Sequence, residues 1–185
     1  MKKILILTLS VFTLTLFLLL GCKKETQETV YENIVPQQKT VTAKKGVGLT
    51  ESTFGNTQLS LLNVSWYYSW GYTTDLVNPP AQFIPMVFSL NTLPNVTPKP
   101  TILGFNEPDN SSQSNMSVAT AIANWPTLVN NSTLVGSPAT AGNPLTTGSW
   151  LTQFMNWTPK PKVDFVCVHW YKGVDYVKFK SDMTA

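Results

Sequence analysis

The sequence contains no arginine; all 13 basic residues are lysine. Phosphate and nucleic-acid sites usually rely on planar guanidinium forks, so this lack argues against a nucleic-acid partner. One histidine and two cysteines offer no metal-ligand spacing and no disulfide framework. Neither a metal nor a cofactor is implied. Charged residues make up only 12% of the chain, against 43% hydrophobic and 11% aromatic, which excludes a disordered polyelectrolyte. No glycine-rich phosphate turn follows the first strand-like run. Glutamate is missing from everything after Glu107.

What is present begins with an address. Lys2 and Lys3 precede an apolar run, Ile4 to Leu20, broken only by Thr8, Ser10, Thr13 and Thr15, and then come Gly21 and Cys22. A basic start, an apolar stretch and a small residue before a cleavage point describe a secretory signal over residues 1–21. Cys22 directly after Gly21 resembles the lipobox of bacterial lipoproteins. That resemblance implies a diacylglycerol on Cys22 and a mature chain held by a lipid anchor in the bacterial cell envelope, outside the cytoplasmic membrane. A single membrane-spanning anchor is the other reading, at the lower limit of length. Without residues 1–21 the chain has 11 lysines against 10 acids, a net charge of +1, which suits an uncharged partner such as a polysaccharide. Residues 22–44 are polar and read as a tether.

From residue 45 to 185 short apolar runs alternate with helix-like stretches. Six strands are expected: Gly46 to Leu49, Val64 to Trp70, Phe83 to Phe88, Thr101 to Phe105, Leu134 to Ser137, and Val163 to His169, the last being the clearest. Several are apolar at successive positions, as parallel strands buried on both faces are. Ser117 and Ser149 are candidate N-caps of helices running to Val129 and through Met155, with Pro126 expected to kink or shorten the first. Strands alternating with helices predict an α/β fold with a parallel sheet. A (β/α)₈ barrel typically takes about 250 residues, and only 141 follow the tether. The expectation is an incomplete barrel of about six βα units, with an open doubly wound sheet as the alternative.

One constellation carries chemistry. Asn106 and Glu107 stand where the fourth strand ends, and Pro108-Asp109-Asn110 forces a turn. Catalytic carboxylates sit at that end of a barrel strand. A glycosidic bond breaks when a carboxylic acid protonates the leaving oxygen, and Phe105 and Pro108 would keep water from Glu107. A turn glutamate without chemistry fits the tetrapeptide alone equally well. Trp66, Tyr68 and Trp70 share one face of the second strand. Trp66 reads as packing, while Trp70, beside Gly71, reads as a surface on which a sugar ring can stack. The lone histidine, His169, shares a face with Tyr171 at the end of the sixth strand and can bond a hydroxyl or hold a carboxylate. Cys167 reads as an inert packed thiol.

Gly-Phe-Asn-Glu-Pro-Asp at 104–109, Gly-Ser-Pro-Ala at 136–139 and Val-Asp-Phe-Val-Cys-Val-His-Trp-Tyr at 163–171 resemble glycoside hydrolase family 128, the alkali-sensitive-linkage-protein-like catalytic core of clan A. Trp66 to Gly71 and Phe83 to Met86 match its second and third strands. The likeness covers roughly residues 45 to 175 in unbroken order. It implies a (β/α)₈ barrel similar to retaining endo-β-1,3-glucanases, with Glu107 as acid/base. Asn106 would bind the hydroxyl beside the anomeric carbon, and Tyr68, Trp70, His169 and Tyr171 would line the sugar subsites.

A retaining mechanism needs a second carboxylate about 5–5.5 Å from the first, and in the family that nucleophile is a glutamate ending the seventh strand. The later acids here are Asp109, Asp164, Asp175 and Asp182, and none is expected beside Glu107. The chain is therefore expected to be a truncated glycoside hydrolase without turnover of its own. A non-catalytic surface glycan-binding lipoprotein and a structural lipoprotein with a relic site are the alternatives.

Overall fold

The computed structural model describes residues 44–184. Residues 1–21, Cys22 and all of the tether but Lys44 lie outside them. Parallel pairing starts with β1 (Gly46–Gly48), β2 (Trp66–Tyr68) and β3 (Gln82–Phe83). The register sets Gly46 against Trp66 and Gly48 against Tyr68. Glycine is required at Gly46 because a Cβ there would stand 2.1 Å from the Trp66 indole. β4 (Lys99–Ile102) pairs in parallel with β5 (Ser132–Val135). Single parallel bridges complete the series, joining Met86 to Leu103, Asn106 to Ala139 and Gly136 to Phe165. The six runs are thus neighbours in sequence order, all parallel, as successive βα units produce.

Two apolar layers cover the outer face of this wall. Tyr67, buried completely, packs with Leu49, Leu59, Val64 and Ala81, Leu59 coming from α1 (Asn56–Leu62). The larger layer sets Val87, Ile102, Phe105 and Val135 against α2 (Val118–Asn130) and α3 (Trp150–Met155). Both helices begin at the expected caps: Ser117 accepts from the Thr120 N–H at 3.1 Å and Ser149 from that of Thr152 at 3.3 Å. Trp125 is the centre of the layer. Its ring meets Phe154 edge-on at 4.9 Å and Phe105 at 5.9 Å, and its indole N–H donates to the Lys162 carbonyl at 2.8 Å.

Two expectations are corrected. Pro126 does not shorten α2, which runs 13 residues through it. Proline frees only the carbonyl of Ile122, and Pro126 faces solvent while Trp125 and Leu128 beside it are buried. Burial of that face outweighs one lost bond. The sixth strand is the least regular rather than the clearest. Its ladder is the Phe165 bridge, flanked by the Asp164 N–H donating to Val135 and the Ser137 N–H donating to Phe165. At Cys167 the N–H donates to the Ser137 hydroxyl at 2.9 Å instead of a backbone carbonyl. Among the described residues its other side has no strand partner, and Phe165 and Val166 are 36% and 56% exposed. Apolarity signalled a strand enclosed in the sheet, but among the described residues pairing exists along one edge.

The fourth run carries a local irregularity that positions the site. Ile102 and Phe105 enter the same apolar layer although three residues apart, so strict alternation slips at Leu103–Gly104. A Cβ on Gly104 would meet the Gly136 carbonyl oxygen at 2.8 Å and the Pro138 nitrogen at 2.9 Å, both backbone. Gly104→Ala is therefore expected to destabilise the domain by about 1–3 kcal/mol through forced backbone shifts. Urea unfolding checks this; an unchanged midpoint would show that the strands can move apart freely.

Candidate active site

After the slip, Asn106 and Glu107 emerge at the C-terminal end of the fourth run. Glu107 has φ +44°, a left-handed conformation that costs a non-glycine residue roughly 1–2 kcal/mol. Its N–H donates to the Ala139 carbonyl at 2.7 Å and its carbonyl accepts from the Asn110 N–H at 3.0 Å, which hold it there. Only 8% of the residue is exposed. Strain on a buried acid at a strand end is the kind of feature that structures retain at functional sites.

Both carboxylate oxygens are met. Tyr171 donates its hydroxyl to Oε1 at 3.0 Å. Burial of that hydroxyl, with its bond to Glu107, pushes the Tyr171 group above the usual phenol range, so it remains a donor. Most of the Tyr171 side chain faces solvent, at 72% exposure; only its polar end turns inward. His169 Nδ1 lies 2.9 Å from the same oxygen, yet makes no aligned hydrogen bond. It lies beside Glu107 without a directed bond to it. Asn110 donates from Nδ2 to Oε2 at 2.9 Å, and its own Oδ1 accepts from the Ser112 N–H at 3.0 Å.

The aromatics predicted on the second strand lie on one side of the wall. Trp66 packs over Gly46, as a structural residue. Tyr68 is half-buried and meets Trp70 edge-on, with centroids 4.9 Å apart. Burial, with a contribution from Cys167, raises the Tyr68 hydroxyl above its ordinary value, and Tyr68 in turn acts on Tyr171. Trp70 is 39% exposed with φ +58°, an indole offered to solvent. Burial pushes the Cys167 thiol up to about 12, in keeping with an inert role. Among the described residues no group of three or more His, Cys, Asp and Glu side chains comes together to hold a metal.

The later acids lie elsewhere. Asp109 accepts from the Ala141 and Gly142 N–H groups, both at 2.8 Å, tying the loop after the fourth run to the loop after β5. Asp164 accepts from Val135 N–H at 2.8 Å. Asp175 caps α4 (Tyr176–Met183). Asp182 of α4 bonds Lys172 at 2.7 Å and the Trp170 indole N–H at 3.0 Å. Those two donors, Lys172 first, bring its carboxyl down to about 2. A depressed acid contributes above its unfolded value of 3.8 and loses its contribution as pH falls through the folded value. The clasp between α4 and the end of the sixth strand is thus expected to persist at pH 4 and open as pH falls towards about 2. The Trp170 indole N–H resonance reports it; a signal unchanged to pH 2 would dismiss the clasp.

A cavity of about 620 Å³ lies between the 141–145 loop, α3 and the end of the sixth strand, with Leu145, Leu151, Met155, Val166 and Trp170 in its walls. His169 and Tyr171 line it, but Glu107, Asn106, Tyr68 and Trp70 do not. The cavity and the Glu107 cluster thus share His169 and Tyr171.

Sequence reasoning missed Asn110, read only as a turn residue. The signal was the amide- and hydroxyl-rich run Asn110-Ser111-Ser112-Gln113-Ser114 directly after the acid.

Comparison with known proteins follows the same lines. Residues 46–185 match the glycosyl hydrolase catalytic core family. The chain is 28% identical over 121 residues to alkali-sensitive linkage protein 1 of Schizosaccharomyces pombe, spanning 61% of this chain and 23% of that protein. A subgroup I endo-β-1,3-glucanase of glycoside hydrolase family 128 from Amycolatopsis mediterranei, solved as a variant with laminaripentaose, is 30% identical with a TM-score of 0.68. That match spans 77% of this chain and 65% of the solved one. A subgroup III curdlan-specific exo-β-1,3-glucanase from Blastomyces gilchristii, solved with glucose, is 25% identical with a TM-score of 0.58, spanning 77% and 68%. The chain thus spans less than two thirds of the length of the first two of these proteins.

Proposed function

Because the chain belongs to the glycosyl hydrolase catalytic core family, we propose that the Glu107 cluster is a glycoside hydrolase site for β-1,3-glucan, built on a (β/α)₈-type barrel wall. One observation carries the reading: a buried glutamate in a strained left-handed conformation at a strand end, its carboxylate met by Tyr171, His169 and Asn110. Glu107 stands where a retaining reaction needs its acid/base, and the second carboxylate that such a reaction also needs is not among the groups that meet it. Asn106 and His169 contact sugar hydroxyls, and Tyr68, Trp70 and Tyr171 present ring faces to the sugar. Endo action is supported by the likeness to the subgroup I enzyme; the exo-acting relative makes chain-end action the competing outcome. On the same reading the 185-residue chain binds glucan without hydrolysing it. Cys22 carries the lipid that holds it at the envelope, which mass spectrometry of the membrane-extracted chain tests through the diacylglycerol mass.

Titration calorimetry with laminaripentaose tests the site. Wild type is expected to bind, and Trp70→Ala to bind about tenfold more weakly, the scale of one lost aromatic contact. Equal affinity in both would remove Trp70 from the site; no binding by a folded wild type would remove the glucan reading.

A further inference from the structure

The two oxygens of Glu107 stand in different company. Both titratable neighbours, Tyr171 and His169, lie on the Oε1 side, at 3.0 Å and 2.9 Å. Oε2 is met by Asn110 Nδ2 at 2.9 Å, an amide that neither gains nor loses a proton. Asn110 is half-buried and held at each of its polar groups. Its N–H donates to the Glu107 carbonyl and its carbonyl accepts from the Gln113 N–H, both at 3.0 Å. Its Oδ1 accepts from the Ser112 N–H, also at 3.0 Å. That last bond sets the polarity of the amide. Turned over, Asn110 would point Oδ1 at the Glu107 carboxylate and Nδ2 at a backbone N–H, two like pairs in place of two hydrogen bonds.

We propose that Asn110 is a positioning residue: it reserves Oε2 as an acceptor, so that the exchangeable proton of Glu107 is carried on Oε1. This rests on the reading of Glu107 as an acid and says which of its oxygens holds the proton. The Tyr171 hydroxyl donates to Oε1 when Glu107 is charged. Once Oε1 is protonated the hydroxyl turns and accepts, because a hydroxyl can do both. Asn110 has no such freedom. A proton on Oε2 would leave its amide facing a hydroxyl oxygen, a poorer acceptor than a carbonyl or a carboxylate. A half-turn of the carboxyl swaps the atom names, not the two surroundings. The leaving oxygen of a saccharide is then met from the side of Tyr171 and His169.

Infrared spectroscopy reads which oxygen is the carbonyl of the protonated acid. Acid-minus-neutral difference spectra of the full chain, each taken against the same chain carrying Glu107→Gln, isolate the Glu107 C=O band. A carbonyl that accepts a hydrogen bond absorbs at lower wavenumber than a free one. With the proton on Oε1 the carbonyl is Oε2, so Asn110→Ala should move the band to higher wavenumber. Tyr171→Phe should leave it in place, since that hydroxyl faces the other oxygen. A loop that merely holds its shape through Asn110 would not split the two variants in this way. A band raised by Tyr171→Phe, or unmoved in folded Asn110→Ala, overturns the proposal. Most of the Tyr171 side chain faces solvent, so Tyr171→Phe spares the fold and decides the matter even if thermal unfolding shows that Asn110→Ala is not folded. The measurement needs no glucan: its failure leaves the glycan reading standing, and that reading falls separately if laminaripentaose does not bind.

Discussion

The purified chain is expected to release no more reducing sugar from a β-1,3-glucan than its Glu107→Gln variant does. Glycoside hydrolysis uses two carboxylates, about 5–5.5 Å apart for retention and about 6.5–9.5 Å for inversion. Glu107 accepts from Tyr171 and Asn110, and the His169 ring lies 2.9 Å from it. No carboxylate joins that group among these contacts. Asp109 is drawn to the backbone of the neighbouring loop, Asp164 to β5, Asp175 to a helix start, and Asp182 to Lys172 and Trp170. Residues that act as a catalytic unit are strongly non-additive, so one member alone keeps little of the rate. Turnover by wild type but not by Glu107→Gln would overturn the expected inactivity and uphold the acid. Equal turnover by both would overturn the acid assignment.

Trp125→Ala is expected to be the most damaging core truncation, costing about 3–5 kcal/mol. The indole is 2% exposed and fills the space between Phe105 and Phe154. Its removal also strands the Lys162 carbonyl, now bonded at 2.8 Å, which adds about 1–3 kcal/mol if water cannot reach it. Domain stabilities are about 5–15 kcal/mol in total, so a large part of the margin disappears. Lys162 lies just before the sixth strand, so the Asp164 amide should lose exchange protection ahead of β2. Urea denaturation followed by far-UV circular dichroism measures the loss, with Leu134→Ala, at an exposed position, as the control. A loss under about 1 kcal/mol would mean the layer collapses onto the hole.

Most strand positions were legible because apolar runs bounded by turn residues mark parallel strands whatever surrounds them. The Ser117 and Ser149 caps were legible because capping is a contact between residues three apart. The sixth strand was misjudged because its apolarity reports its own composition, whereas its regularity depends on what pairs with it. Pro126 was misjudged for the same reason: the burial of Trp125 and Leu128 is a tertiary quantity. Glu107, His169 and Tyr171, expected together by type and by place at strand ends, do lie beside one another. Asn110 was not expected there, since amides in a polar loop carry no mark of which way they point.

By itself the sequence determined the order of strands and helices, the two serine caps, and the acid at the end of the fourth run. Those are consequences of chain-local sterics, periodicity and residue chemistry. Only the tertiary structure decided that Tyr171 and His169, more than sixty residues away, would meet one oxygen of Glu107 while Asn110 took the other. It also decided which of the later acids were drawn elsewhere. Hydrogen bonds are directional and short in range, so these choices are made when the strand ends and their loops converge.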